Sequence, residues 1–187
     1  MVADPQRCVL VSGPARSGKS AWAETLAAAS GRAVHYLATG PHRPDDEAWQ
    51  ERLRRHRERR PASWGCQEVG LQLAPALSAC PAGHLALVDS LGTWVAAGLH
   101  LDQPAWQTAS DQLLEALQTT PARVVLVAEE TGWGVVPATA VGGLFRDRQG
   151  LLLQAVMRLC DGAWLVLHGR AINLLEFSVP VPSAGAW

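Results

Sequence analysis

The chain has 187 residues, enough for one domain with a sizeable core and cramped for two. A net charge of -1 gives no support for general nucleic-acid or membrane-surface binding, each of which calls for a basic face over much of the protein. No apolar run approaches the roughly 20 residues of a bilayer span, and the opening MVADPQR lacks the apolar segment of a secretory signal, so a cytoplasmic protein is expected.

The predicted elements alternate in type along the chain. Short apolar runs suited to strands occur at Cys8–Ser12, Ala33–Thr39, His84–Ser90, Arg123–Glu130 and Ala163–Gly169. Helical patterns lie between them, at about Lys19–Ser30, Asp45–Arg59, Gly92–Leu99, Gln103–Gln118 and Leu144–Cys160. Strands read as continuous apolar runs when both faces are buried, so the alternation predicts a mostly parallel sheet with helices on both faces. From about Asn173 onward the chain has prolines and little periodicity, which predicts an edge strand or a loose tail. No internal repeat is visible.

The four cysteines, Cys8, Cys66, Cys80 and Cys160, form no C-x-x-C pair and have no histidine at metal-ligand spacing. They read as reduced, mostly buried thiols. Of the basic residues fifteen are arginine and one is lysine, Lys19. A composition so biased leaves lysine where arginine would not serve.

Lys19 lies in GPARSGKS, formed by Gly13, Pro14, Ala15, Arg16, Ser17, Gly18, Lys19 and Ser20, which fits G-x-x-x-x-G-K-[ST]. The motif follows a predicted strand and opens a predicted helix, the context a phosphate-binding loop needs. Glycines let the backbone wrap close to a polyphosphate so that successive N–H groups and the helix N-terminus point at it. Lys19 would reach the β and γ phosphates and the Ser20 hydroxyl would ligate Mg2+. The expected fold is therefore P-loop NTPase-like, of the RecA-like α/β kind. A metal-orienting carboxylate belongs at the end of a neighbouring strand, and Asp89 in LALVDS is the first choice. Glu129 and Glu130 end the next apolar run in the same way and stay as alternatives.

The segment ERLRRHRERRP packs six arginines around His56. With apolar residues only at Ala48, Trp49 and Leu53 it predicts a surface helix, and a merely solvated charged face is the plain alternative. Acids come first and bases last, which also suits the helix macrodipole.

Taken together, SGPARSGKS, YLATG, DDEAWQERLRRHRERRP, VDSLGTWV, VVLVAEETGWGVVP, FRDRQG and DGAWLVLHG resemble, in order and spacing, the bifunctional adenosylcobinamide kinase / adenosylcobinamide-phosphate guanylyltransferase family of cobalamin biosynthesis. The resemblance implies two reactions. A hydroxyl of adenosylcobinamide takes the γ-phosphoryl of ATP or GTP; then GMP from GTP passes through a histidine to adenosylcobinamide phosphate, giving adenosylcobinamide-GDP. The family's nucleophile falls on His56, and its nucleotide contacts fall on Ala38, Thr39, Gly40, Arg57, Glu58, Arg59, Arg60, Glu68 and Asp89. It also implies a homo-oligomer, usually a trimer. Leu153 stands where a polar residue is expected.

The chemistry agrees with elementary physics. An imidazole of pKa about 6.5 is largely neutral near pH 7 and can attack phosphorus. Neighbouring Arg54, Arg55 and Arg57 would favour that neutral form and offset charge on the α-phosphate and pyrophosphate. The other histidines, His35, His42, His84, His100 and His168, read as structural. Two further readings compete: a kinase-only enzyme, and a nucleotide-binding regulator that modifies no small molecule.

Overall fold

Alternate residues of a strand point to opposite faces, and in β1 (Cys8–Gly13) every position is buried. Cys8 and Leu10 enter one core, Val9 and Val11 another. The computed structural model describes residues 6–41 and 44–181, and of Trp49, Arg52, Arg55 and His56 the backbone only.

After β1 come α1 (Lys19–Ala29), β2 (Val34–Ala38), α2 (Glu47–Arg59), β3 (Gly65–Glu68), α3 (Leu73–Ser78), β4 (Leu85–Asp89) and α4 (Leu91–Ala97). A 3-10 turn (Gly98–His100) leads into α5 (Gln103–Thr119), β5 (Arg123–Glu129), α6 (Ala140–Met157), β6 (Gly162–Leu167), β7 (Arg170–Asn173) and α7 (Leu174–Phe177). The strands form one sheet in the order β3-β2-β4-β5-β1-β6-β7. Every pairing is parallel except β6 with β7.

The larger core joins the sheet to α3, α4, α5 and α6 through Leu77, Trp94, Leu113 and Val156. The smaller one covers the opposite face with Ala23 and Ala27 of α1, and Trp22 meets Trp164 edge-on at 5.2 Å. Thus α1 carries the chain from β1 toward β2 over one face, and α6 carries it from β5 to β6 over the other. A parallel sheet wound in both directions opens a crevice at the carboxyl ends of its strands, where the direction reverses. The loop after β1 lies there.

The predicted strands and helices are all present, with shifts that have local causes. α4 begins at Leu91 because Ser90 caps it, accepting from the Thr93 amide at 3.3 Å while Thr93 Oγ1 accepts from the Ser90 amide. α6 begins at Ala140, before its apolar pattern, because Thr139 accepts from the Gly142 amide at 3.2 Å. Other elements lie outside the predicted ones. β3 reads GCQE and is exposed at every position, so no apolar pattern marks it; backbone pairing with β2 makes the strand. α3 is six residues long, and β7 is the antiparallel edge. That edge strand falls at Arg170–Asn173, before the segment where it was expected, and Leu174–Phe177 form a helical turn instead.

Cys8 and Cys80 are buried as expected, but Cys66 is exposed. His35 and His84 share a hydrogen bond at 2.7 Å across β2 and the start of β4, a structural use of both rings.

Glu129, at the end of β5, accepts from Ser90 Oγ at 2.8 Å and from the Gly92 amide at 3.0 Å, adding a second cap to α4. A Cβ at position 92 would lie 2.0 Å from Glu129 Oε2. Gly92→Ala is therefore expected to expel that carboxylate and lower stability by about 1–2 kcal/mol, the scale of a lost cap, read as a lower urea or thermal midpoint.

Candidate active site

Lys19 opens α1 behind a loop closed largely by its own backbone. The Ser17 amide donates to Pro14 O at 3.3 Å, and Lys19 Nζ donates to the same carbonyl at 3.4 Å. Gly18 takes φ 100°, in the region that favours glycine, and Arg16 is left-handed at φ 59°. A Cβ on Gly13 would come within 2.3 Å of Val166 O, so only glycine permits β1 to pack this closely beside β6. Two neighbours clamp the loop: the Glu130 amide donates to Gly13 O at 2.9 Å, and the Gly169 amide, in the β6–β7 turn, donates to Ser17 O at 3.0 Å. Ser17 and Lys19 are buried, and Ser17 Oγ has no partner among the described residues.

A cleft of about 590 Å³ opens over this loop, lined by Ala15 to Ala21 and, from α2, by Ala48, Glu51 and Arg59. The charged helix thus stands over the phosphate-binding loop. His56 lies in α2 one turn before Arg59; its side chain is outside the described residues, as are those of Arg52 and Arg55.

Among the described side chains, charge attaches α2 to its neighbours. Arg59 donates to Glu24 of α1 at 3.1 Å, tying the helix to the one that starts at Lys19. Burial raises the Glu24 carboxyl above its usual 4.5, with the Arg59 guanidinium pulling the other way. Just past α2, the Arg60 guanidinium stacks over the Tyr36 ring at 3.8 Å, and the Tyr36 hydroxyl donates to Asp89 Oδ2 at 2.9 Å. Arg57 reaches Glu68, at the end of β3, at 3.5 Å.

Comparison with known proteins agrees with this geometry. The family model described as "Cobinamide kinase / cobinamide phosphate guanyltransferase" matches residues 9–174. The chain belongs to that family. It is 41% identical over 167 residues to the bifunctional adenosylcobalamin biosynthesis protein CobP of Pseudomonas aeruginosa, covering 88% of this chain and 95% of that protein. It is 34% identical over 181 residues to CobU of Salmonella typhimurium, described in the same words, covering 89% and 98%. In fold it is similar to a type III secretion system ATPase (TM-score 0.54, 11% identity, 94% of this chain and 59% of that one) and to a Pyrococcus horikoshii OT3 protein, PH0250 (TM-score 0.53, 8% identity, 96% and 94%). The P-loop architecture expected from the sequence is the one found, and this member of the cobinamide kinase / cobinamide phosphate guanyltransferase family uses nucleotide substrates.

The residues anticipated for this family's site fall into two neighbouring groups. Ala15 to Ser20 and Arg59 meet at the cleft, with Gly13 and Pro14 leading into the loop from the end of β1. Arg57, Arg60, Glu68 and Asp89 gather at the C-terminal end of α2, beside the ends of β2, β3 and β4. Ala38 ends β2, and Gly40 is half-buried just beyond it. Thr39 is buried, its Oγ1 accepting from the Ser90 amide at 2.9 Å and meeting Thr93 Oγ1 at 2.6 Å, a pin between β2 and β4. Glu58 is exposed and accepts from Arg54. Arg54 also donates to Glu51 at 2.8 Å, so carboxylates of its own helix answer its charge.

The strand-end carboxylates now separate in use. Glu129 caps α4 and Glu130 accepts from the Gly132 amide at 2.7 Å, whereas Asp89 is held by a side-chain hydroxyl. Glu24 and Tyr36 were missed by sequence reasoning. Glu24 had one signal, its place one helical turn after Ser20; Tyr36 sits inside an apolar run and had none.

Tyr36 is the chain's single tyrosine. Burial, and then the Asp89 charge, push its phenol well above the usual value near 10. Below that value the neutral phenol's stabilisation is fully present; above it the unfolded chain loses the proton first, so stability falls as pH rises through and beyond 10. Alkaline absorbance titration is expected to reveal tyrosinate only together with unfolding.

Proposed function

We propose that the cleft between the phosphate-binding loop and α2 serves both activities of the family, phosphorylating adenosylcobinamide and then transferring GMP to its phosphate through His56. The observation that carries this reading is the shared cleft: α2, which bears His56, lines the space over Gly18, Lys19 and Ser20 through Ala48, Glu51 and Arg59.

In the first reaction the loop amides and Lys19 hold the β and γ phosphates of ATP or GTP. The corrinoid's terminal hydroxyl attacks the γ-phosphorus, the bond to the β-phosphate oxygen breaks, and the diphosphate leaves. In the second, a neutral His56 nitrogen attacks the α-phosphorus of GTP; an N–P bond forms and pyrophosphate departs. An oxygen of adenosylcobinamide phosphate then attacks that phosphorus, restoring His56 and yielding adenosylcobinamide-GDP. Arg57, Arg59 and Arg60 offset the charge that builds on the phosphates and the leaving group. Glu68 is an acceptor for the nucleotide's N–H groups, and Asp89 meets the nucleotide through Mg2+.

Ser20 and Asp89 suit Mg2+, because a hydroxyl and a carboxylate are the oxygen donors a hard cation takes and the Tyr36 hydrogen bond fixes one Asp89 oxygen. Mg2+ when bound would supply positive charge against the phosphates. The same reading makes the protein a cytoplasmic homo-oligomer; exposed Trp133, Val135, Val136 and Leu151 supply apolar surface for a neighbouring copy or a corrin ring.

GTP labelled at the α-phosphate is expected to leave an acid-labile, base-stable protein label that His56→Ala abolishes, while phosphorylation of adenosylcobinamide from γ-labelled ATP persists in that variant. A stoichiometric label surviving in His56→Ala would remove His56 from the scheme. Phosphorylation with no label in the wild type would favour the kinase-only enzyme. Lys19→Ala is expected to lower both reactions by roughly 100-fold or more, the scale of losing one group aimed at transition-state charge.

A further inference from the structure

We infer that Tyr36 is a positioning residue, holding the Asp89 carboxylate with its hydroxyl and the Arg60 guanidinium with its ring so that the two meet a bound nucleotide as a unit. What Asp89 and Arg60 do there rests on the proposed function; how Tyr36 holds them does not.

Tyr36 lies in the middle of β2, next to β4 in the sheet, with its register partner Leu87 two residues before Asp89. Its side chain is 4% exposed, so its position is set by packing. The packing calls for an aromatic ring, and phenylalanine would fill the same space. The hydroxyl needs a separate reason, since a buried O–H without a partner is costly. Its partner is Asp89 Oδ2 at 2.9 Å, at the point where β4 ends. The face of the ring is used by Arg60, whose guanidinium lies 3.8 Å from the centroid and also reaches Cys66 Sγ at 3.5 Å.

The two contacts are geometrically independent, because a phenol donates in its ring plane and binds a cation on its face. One rigid side chain therefore sets the distance between an acid on the sheet and a base following α2. The ring also stiffens the base: a guanidinium on an aromatic platform loses less freedom when it grips a phosphate.

Two variants separate the functions. Tyr36→Phe keeps the platform and deletes the hydroxyl; Tyr36→Leu deletes both. GTP affinity is measured by calorimetry for each, with Mg2+ and with a chelator, beside the thermal midpoint. Tyr36→Phe is expected to weaken binding roughly 5- to 10-fold in Mg2+, the scale of one ordinary net hydrogen bond, and less than about twofold in chelator. Tyr36→Leu is expected to weaken it in both conditions. In an Asp89→Asn background Tyr36→Phe should add little, since residues acting through one contact are not additive. Equal losses with and without Mg2+ in Tyr36→Phe, unchanged affinity, or full additivity with Asp89→Asn would overturn the assignment. Because the readout is binding, it stands apart from the labelling experiment: a wild type that binds Mg2+ and GTP yet modifies no cobinamide would sink the reaction and leave the Tyr36 test intact.

Discussion

The site depends on how β1 ends. A strand buried on both faces and bonded on both sides has no freedom until it outruns its neighbours, and here the polypeptide turns at Gly13 with Val166 O pressed against it. The loop that follows is fastened by main-chain hydrogen bonds to the end of β5 and to the β6–β7 turn. Amides held in this way are arranged before any ligand arrives. A phosphate meeting them does not have to order the chain, which is the condition under which fixed dipoles stabilise transferring charge most effectively. The sheet order follows from the same requirement, since it puts β1 between two parallel strands and leaves the carboxyl ends of β4 and β5 close by.

The other wall of the cleft is built on a different principle. α2 has almost no apolar stripe, and it is joined to the body by Arg59 with Glu24, Arg57 with Glu68, and Arg60 on Tyr36. Of these the exposed pair, Arg57 with Glu68, contributes little, about 0–1 kcal/mol, whereas Glu24 is half-buried. A guanidinium held by an exposed carboxylate can exchange that partner for a phosphate oxygen at small cost. A stiff floor and an electrostatically hung roof suit an enzyme that takes two substrates in turn, the second wall adjusting to each without disturbing the first.

Much of this was legible in the residues because the relevant chemistry is local. The loop is contiguous, its glycines and lysine are spaced by the shape of a phosphate, and the continuous apolar runs announce buried strands. The charged segment was legible as a surface helix for the same reason. Contacts made across the sheet were not. Tyr36 and Asp89 are far apart in sequence and adjoin because β2 and β4 do, and that pairing is written in no short motif. Glu129 was kept as an alternative metal carboxylate on the strength of its strand-end position; its use as a cap depends on α4 starting directly opposite. β3 left no mark because an edge strand exposed at every position has only its backbone to pair.

The scarcity of lysine has one more result. Lys19 is the only side-chain amine in the sequence, it is 5% exposed, and it is folded back onto Pro14 O. Reagents that seek amines on most proteins find a crowd of equivalent surface targets; in this chain they find the floor of the phosphate-binding loop. The residue that composition singled out is thus also the one lysine at which such a reagent could mark the loop.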